Sequence, residues 1–183
     1  ISSPSGGGKT TLVHRILADM PKAAYSVSVC TRQPRTGERN GRDYFFVSKP
    51  AFERMVRKHE LAEWANVHGH LYGTPKQDTL KRLQSGEHIA LIVDVQGALN
   101  VKQQMPEAVL VFIEPESWDS LEKHLRSRKG MDQADIERRL VNGSKELAKR
   151  TSYDYNVVNR EGHIDETVLK IAEIIKNHGQ ISA

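Results

Sequence analysis

Gly6, Gly7 and Gly8 are followed directly by Lys9 and Thr10 within the string Ser3-Pro4-Ser5-Gly6-Gly7-Gly8-Lys9-Thr10. Glycines let a backbone close around a ligand so that successive N–H groups face it, and a lysine followed by a hydroxyl adds a positive charge and a metal ligand. The set matches the phosphate loop G-x-x-x-x-G-K-[ST], in which the lysine reaches the β- and γ-phosphates and the hydroxyl binds Mg²⁺. Ser3 stands where the first glycine is customary. A small residue suffices at a strand end, although its Cβ narrows the allowed backbone angles. The chemistry implied is the binding of a nucleotide polyphosphate with Mg²⁺.

Two further groups of residues can do chemistry. Arg32, Arg35, Arg39 and Arg42 crowd a segment that also holds Pro34, Gly37, Asn40 and Gly41, so the charge sits on a loop. Arginine rather than lysine favours forked recognition of phosphate, with a solvated basic loop or an RNA patch as the other reading. Asp94 ends the apolar run Ile89-Ala90-Leu91-Ile92-Val93, where it is placed either to help hold Mg²⁺ or to cap a helix. His68 and His70 lack the context of metal ligands and are expected at the surface.

These residues need elements to carry them. Thr11 to Met20 has apolar side chains at Leu12, Val13, Ile16, Leu17 and Met20, the spacing of a helix whose N-terminus points its dipole at the anion. A strand is expected just before the loop, so residues upstream of Ile1 are expected as well. Tyr25 to Cys30 alternates as a strand. Asp43 to Val47 and the pair Glu63 to Val67 with Leu71 to Thr74 are further strands, and Ser48 caps a helix over Pro50 to Lys58. Together they predict a small mixed lobe inserted early in the chain. Helix 75–85, strand 89–93, helix 98–105, strand 108–113 and helix 118–126 then alternate, which predicts a doubly wound parallel sheet. A basic loop, Arg126-Ser127-Arg128-Lys129-Gly130, interrupts the alternation. A helix over 132–149, a strand over 155–159 and a helix over 164–177 follow it.

With 183 residues and 38% hydrophobic content, the chain suits one sizeable core with a small lobe. No apolar run approaches the roughly 18 residues of a membrane span, and no secretory signal is seen. Cys30 alone rules out an internal disulfide and reads as a small buried hydrophobe. The net charge of +4 implies an anionic partner, either a nucleotide or a nucleic acid.

From the phosphate loop almost to the C-terminus the sequence resembles the guanylate kinases. Beside the loop, the resemblance rests on Ser28-Val29-Cys30-Thr31-Arg32-Gln33-Pro34-Arg35, Gly37-Glu38, Gly41-Arg42-Asp43-Tyr44-Phe45-Phe46-Val47, and Glu63-Trp64-Ala65 with Tyr72-Gly73-Thr74. It rests also on Asp94-Val95-Gln96-Gly97 and Tyr153-Asp154-Tyr155-Asn156-Val157-Val158-Asn159. It implies an α/β P-loop kinase in which helices flank a parallel sheet, with an inserted mixed α/β GMP-binding lobe and a helical lid. The expected division is core at 1–30, lobe at 31–80, core at 81–122, lid at 123–140 and core at 141–183.

By the same resemblance, Arg32, Arg35, Tyr44 and Tyr72 hold the GMP phosphate, while Ser28, Glu63, Thr74 and Asp94 surround guanine. Guanine offers N1–H and N2–H₂ as donors, so one carboxylate accepts both. ATP is expected at Ser5, Gly6, Gly7, Gly8, Lys9, Thr10, Thr11 and Asn159, Mg²⁺ at Thr10 and Asp94, and catalysis at Lys9, Arg128 and Arg139. Two positions depart from the family pattern: Ile92 replaces a carboxylate and His124 an arginine. The implied reaction is ATP + GMP = ADP + GDP, with small-molecule substrates, no nucleic acid or membrane partner, a cytoplasmic setting, and a monomer or homodimer. A GMP-lobe module that binds phosphopeptides and a kinase of phosphorylated sugars are the alternatives.

Overall fold

In the computed structural model the described residues are 1–4, 9–18, 20, 23–67, 69–127 and 132–178, with the backbone alone at residues 10 and 11. In chain order the elements are α1 (Lys9–Ala18), β1 (Ala23–Tyr25), β2 (Val29–Cys30), β3 (Phe45–Phe46), α2 (Lys49–Arg57), β4 (Leu61–Val67), β5 (His70–Pro75) and α3 (Lys76–Gln84). They continue with β6 (His88–Ala90), α4 (Val95–Gln104), β7 (Val111–Pro115), α5 (Trp118–Arg126), α6 (Gln133–Leu147), β8 (Tyr155–Asn159) and α7 (Ile164–His178). They fall into two compact units, Ile1–Met20 with Glu107–Ala183, and Pro21–Pro106.

In the first unit, β7 and β8 pair in parallel from Val111 opposite Tyr155 to Pro115 opposite Asn159. Asp154 Oδ2 accepts the Leu110 N–H at 2.7 Å and fixes where that pairing begins. Ser2 lies beside β7, its N–H donating to the Val111 carbonyl at 2.9 Å and its carbonyl accepting from Ile113 at 2.7 Å. The extended segment expected ahead of the loop is therefore present at Ser2. Helix α1 buries Leu12, Val13 and Ile16, the apolar side of its helical repeat. It packs on α7, joined at the surface by Arg15 and Asp165. Helix α5 begins with a reciprocal cap between Ser117 and Ser120 and buries Leu121 and Leu125 against Ile136 of α6. Asp132 accepts the Asp135 N–H at 2.7 Å at the start of α6.

The second unit holds a mixed sheet in the order β3-β2-β5-β4 and a parallel pair, β1 with β6. Residues 25–30 do not form one strand as the alternation predicts. The Ser26 N–H bonds to the Ala90 carbonyl at 3.2 Å in one sheet, whereas the Ser28 carbonyl accepts from Phe45 at 2.8 Å in the other. The chain changes sheets at Val27. The apolar run 89–93 is likewise a shorter strand, ending at Ala90, and α4 begins at Val95 rather than at 98 because Asp94 caps it. One face of the mixed sheet rests on α2, where Phe52 is fully buried with Val29 and Leu61, and Val47, Met55 and Leu71 close the cluster. Gly73 allows that contact, since a Cβ there would lie 2.8 Å from Leu61 Cδ1 and 3.2 Å from the Phe52 ring. No helix among the described residues is long and apolar enough to cross a membrane.

Candidate active site

The other face of the mixed sheet carries the polar residues. Strands β4 and β5 set Glu63 opposite Thr74 and Ala65 opposite Tyr72. Strands β2 and β5 set Cys30 opposite Tyr72, and the same register continued one step brings Ser28 opposite Thr74. Directly opposed residues of antiparallel strands share a face, and side chains two apart on a strand point the same way. Ser28, Thr74 and Glu63 thus form one row across three strands. Cys30, Tyr72 and Ala65 form the next, one two-residue step of about 6.6 Å along.

Glu63 and Thr74 are almost wholly buried, and Thr74 Oγ1 donates to Glu63 Oε1 at 2.7 Å. Burial pushes the Glu63 carboxyl up to about 7, against the opposing pull of the Thr74 hydrogen bond and with added repulsion from Asp94. Helix α4 packs against β4 at this row. Its Gly97 leaves room for the carboxylate: a Cβ there would lie 2.8 Å from Glu63 Oε2 and 3.1 Å from Asp94 Oδ1. Asp94 Oδ1 accepts the Gly97 N–H at 2.9 Å, so the aspartate is a helix cap in this structure, one of its two sequence readings.

The second row leads to Arg32, which is 8% exposed. Its guanidinium lies 4.8 Å from the Tyr44 ring centre and 5.5 Å from that of Phe46, a cation held over aromatic faces. Nε donates to the Tyr72 hydroxyl at 3.2 Å, and Nη1 donates to the Gln33 carbonyl at 3.0 Å. Nη1 and Nη2 also donate to the two oxygens of Glu38 at 2.5 and 2.7 Å. Tyr44 and Tyr72 meet edge to face with ring centres 6.0 Å apart. Burial raises both phenols above the usual tyrosine range, so both remain O–H donors at neutral pH. Arg35 is exposed, and its backbone N–H donates to Glu38 Oε2 at 2.7 Å.

In the first unit, Lys9 Nζ donates to the Ser3 carbonyl at 2.7 Å and to Ser3 Oγ at 3.1 Å. Ser3 Oγ in turn donates to the Pro4 carbonyl at 3.0 Å. The residue that departs from the loop pattern is thus buried and engages the loop's lysine. Asn159 ends β8, with its Oδ1 accepting from Thr167 at 3.2 Å. Arg139 is half-buried on α6 and His124 is exposed on α5. Ser5, Gly6, Gly7, Gly8 and Arg128, and the side chains of Thr10 and Thr11, lie outside the described residues, as does His68.

Of the residues singled out from sequence, Ser28, Glu63 and Thr74 come together in one row and Arg32, Tyr44 and Tyr72 in one cluster. Sequence reasoning assigned no role to Glu38, Phe46 or Gly97. The available signal for Glu38 was that it is the only acid among the four arginines of 32–42.

Parallel strand pairs with helices, a glycine-rich sequence ahead of α1 and a mixed sheet with a polar face are consistent with an α/β P-loop kinase fold. The solved guanylate kinase of Anaplasma phagocytophilum superposes with a TM-score of 0.81 at 31% identity, over 99% of this chain and 85% of that one. Residues 1–178 match the family model described as guanylate kinase. The guanylate kinase of Caldanaerobacter subterraneus subsp. tengcongensis is 40% identical over 175 residues, 96% of this chain and 84% of that protein. That of Gloeobacter violaceus is 48% identical over 160 residues, 87% of this chain and 78% of that protein. The chain belongs to the guanylate kinase family.

Proposed function

We propose that this chain transfers the γ-phosphoryl group of ATP to GMP, giving ADP and GDP. The observation that carries the reading is the shared sheet face, on which the buried carboxylate of Glu63 lies one step from the Arg32, Tyr44 and Tyr72 cluster. The first row takes the base. Glu63 accepts guanine N1–H and N2–H₂, while Thr74 and Ser28 supply hydroxyls beside it. The cluster takes the acceptor phosphate: Arg32 and Arg35 neutralise it and the two phenols donate to its oxygens.

The acceptor phosphate oxygen is already ionised, so the transfer needs positioning and charge neutralisation and no general base. Lys9 carries charge to the transferring group from the loop of Ser5, Gly6, Gly7 and Gly8, with Arg128 and Arg139 assigned to the lid and Asn159 to the nucleotide. The Thr10 hydroxyl and the Asp94 carboxylate are hard oxygen donors of the kind Mg²⁺ takes, which fits them to hold it with ATP phosphates. When bound, Mg²⁺ offsets charge that develops on the phosphate oxygens.

The experiment is coupled ADP release from ATP with GMP, with AMP, or with no acceptor. GMP-dependent release with AMP slower by about 10⁴ is expected, because an acceptor lacking the guanine donors leaves the buried groups unpaired. AMP phosphorylation within tenfold of GMP would sink the assignment of Glu63.

A further inference from the structure

Glu38 grips the guanidinium of Arg32 with both carboxylate oxygens. The chain reaches it through a turn from Arg35 to Glu38, closed by the Glu38 N–H on the Arg35 carbonyl at 3.0 Å. Gly37 stands third in that turn with φ of 87°, the left-handed angle a type II turn requires there. The turn folds the Glu38 side chain back onto Arg32. Oε2 then receives both Arg32 Nη1 and the Arg35 backbone N–H, and Oε1 receives Arg32 Nη2. With Nε on Tyr72 and the second Nη1 proton on Gln33, these bonds account for four of the five N–H groups of Arg32.

We propose that Glu38 is a positioning residue for the acceptor phosphate: it holds the Arg32 guanidinium in place over Tyr44 and fixes the backbone at Arg35 before any anion arrives. The inference rests on the GMP kinase reading of the site. Two effects oppose each other. The carboxylate cancels one positive charge and blocks the flat fork of Arg32, which weakens the field an incoming phosphate meets. Against that, Arg32 is almost fully buried, and a buried cation that loses its partner is strongly disfavoured. Without Glu38 the guanidinium leaves the cluster for water, and each binding event must reorder it, at the cost of rotamer entropy and desolvation. Preorganisation outweighs the lost field because the site keeps Arg35, two phenols and the remaining Nη2 proton for the phosphate.

The test compares wild type, Glu38→Gln, Glu38→Ala and Glu38→Asp in GMP-dependent ADP release, alongside the ¹⁵N spectrum of the arginine Nε–H groups in the nucleotide-free protein. Glu38→Gln is expected to raise KM for GMP about tenfold while kcat and KM for ATP stay within threefold. Glu38→Ala should raise it further, and Glu38→Asp, which keeps the charge, should recover part of the loss. The Arg32 Nε–H signal should be sharp in wild type and exchange-broadened in Glu38→Gln. A KM for GMP that is unchanged or lower in Glu38→Gln overturns the proposal, because Glu38 would then act as a competitor of the phosphate or as a bystander. A raised KM with an unaltered Arg32 signal overturns it as well, since the effect would come from the loop alone. Wild-type protein without GMP-dependent ADP release removes the kinase reading, whereas the Nε–H comparison still reports whether Glu38 holds Arg32.

Discussion

Thr74 Oγ1 donates a 2.7 Å hydrogen bond to Glu63 Oε1 from the position directly opposite on the neighbouring strand. The bond favours the ionised carboxylate, yet burial outweighs it and leaves Glu63 near 7 rather than at its ordinary 4.5. On the proposed reading, the group that accepts two guanine donors in its charged form is therefore only about half charged near neutrality.

GMP affinity should accordingly rise between pH 6 and pH 8. The GMP phosphate also titrates near pH 6, so the profile of wild type alone does not isolate Glu63. Thr74→Val does, because it removes a hydrogen bond to the charged form and leaves the ligand unchanged. The midpoint of the KM–pH curve for GMP should move up by about one unit in the variant, the size expected for one charge-assisted hydrogen bond. Superimposable curves would show that Glu63 does not set the profile.

The same carboxyl affects stability. Its proton is held more tightly in the folded chain than in the unfolded one, so between pH 4.5 and about 7 folding takes up a proton and stability falls as pH rises. The loss is complete above the folded value and amounts to no more than about 3.5 kcal/mol, at about 1.4 kcal/mol per pKa unit. Glu63→Gln cannot ionise. Its Tm relative to wild type should increase from pH 5 to about pH 7 and level off above it, while GMP-dependent activity is lost.

Gly97→Ala places a methyl group 2.8 Å from where Glu63 Oε2 now lies, with Asp94 Oδ1 and Val93 Cβ also close. Glu63 must withdraw from its row. A fall in kcat/KM for GMP of tenfold or more is expected with KM for ATP little changed. Glu63→Asp shortens the side chain and relieves the clash, so the double variant should lose less than the product of the two single losses, which a double-mutant cycle measures.

Lys9→Met should keep the fold and remove more than nine-tenths of GMP-dependent ADP formation, since a preorganised charge on the transferring group is worth several kcal/mol of transition-state stabilisation. Circular dichroism alongside coupled ADP release checks both halves. The bonds from Lys9 to Ser3 also predict a smaller effect of Ser3→Gly, which removes one of the two acceptors that Ser3 offers and leaves the carbonyl in place.

Local chemistry in the sequence determined a good part of this protein. The string from Ser3 to Thr10 points to a nucleotide polyphosphate through residue type and spacing alone, and α5 and β8 run over the residues their patterns predict, 118–126 and 155–159. Caps explain this legibility: Ser117 and Asp132 act within a single turn, so the signal and its consequence are neighbours in the chain. The family strings likewise singled out Ser28, Glu63, Thr74, Arg32, Tyr44 and Tyr72, which the fold gathers into one row and one cluster. Tertiary structure decided what depends on pairing. The alternation of 25–30 does not say that Ser26 pairs in one sheet and Ser28 in another, because strand partners lie tens of residues away. Nor does any local pattern set Glu63 beside Gly97, 34 positions on, or turn a lone acid in an arginine loop into the partner of Arg32. Those contacts follow from register and burial, which belong to the folded chain.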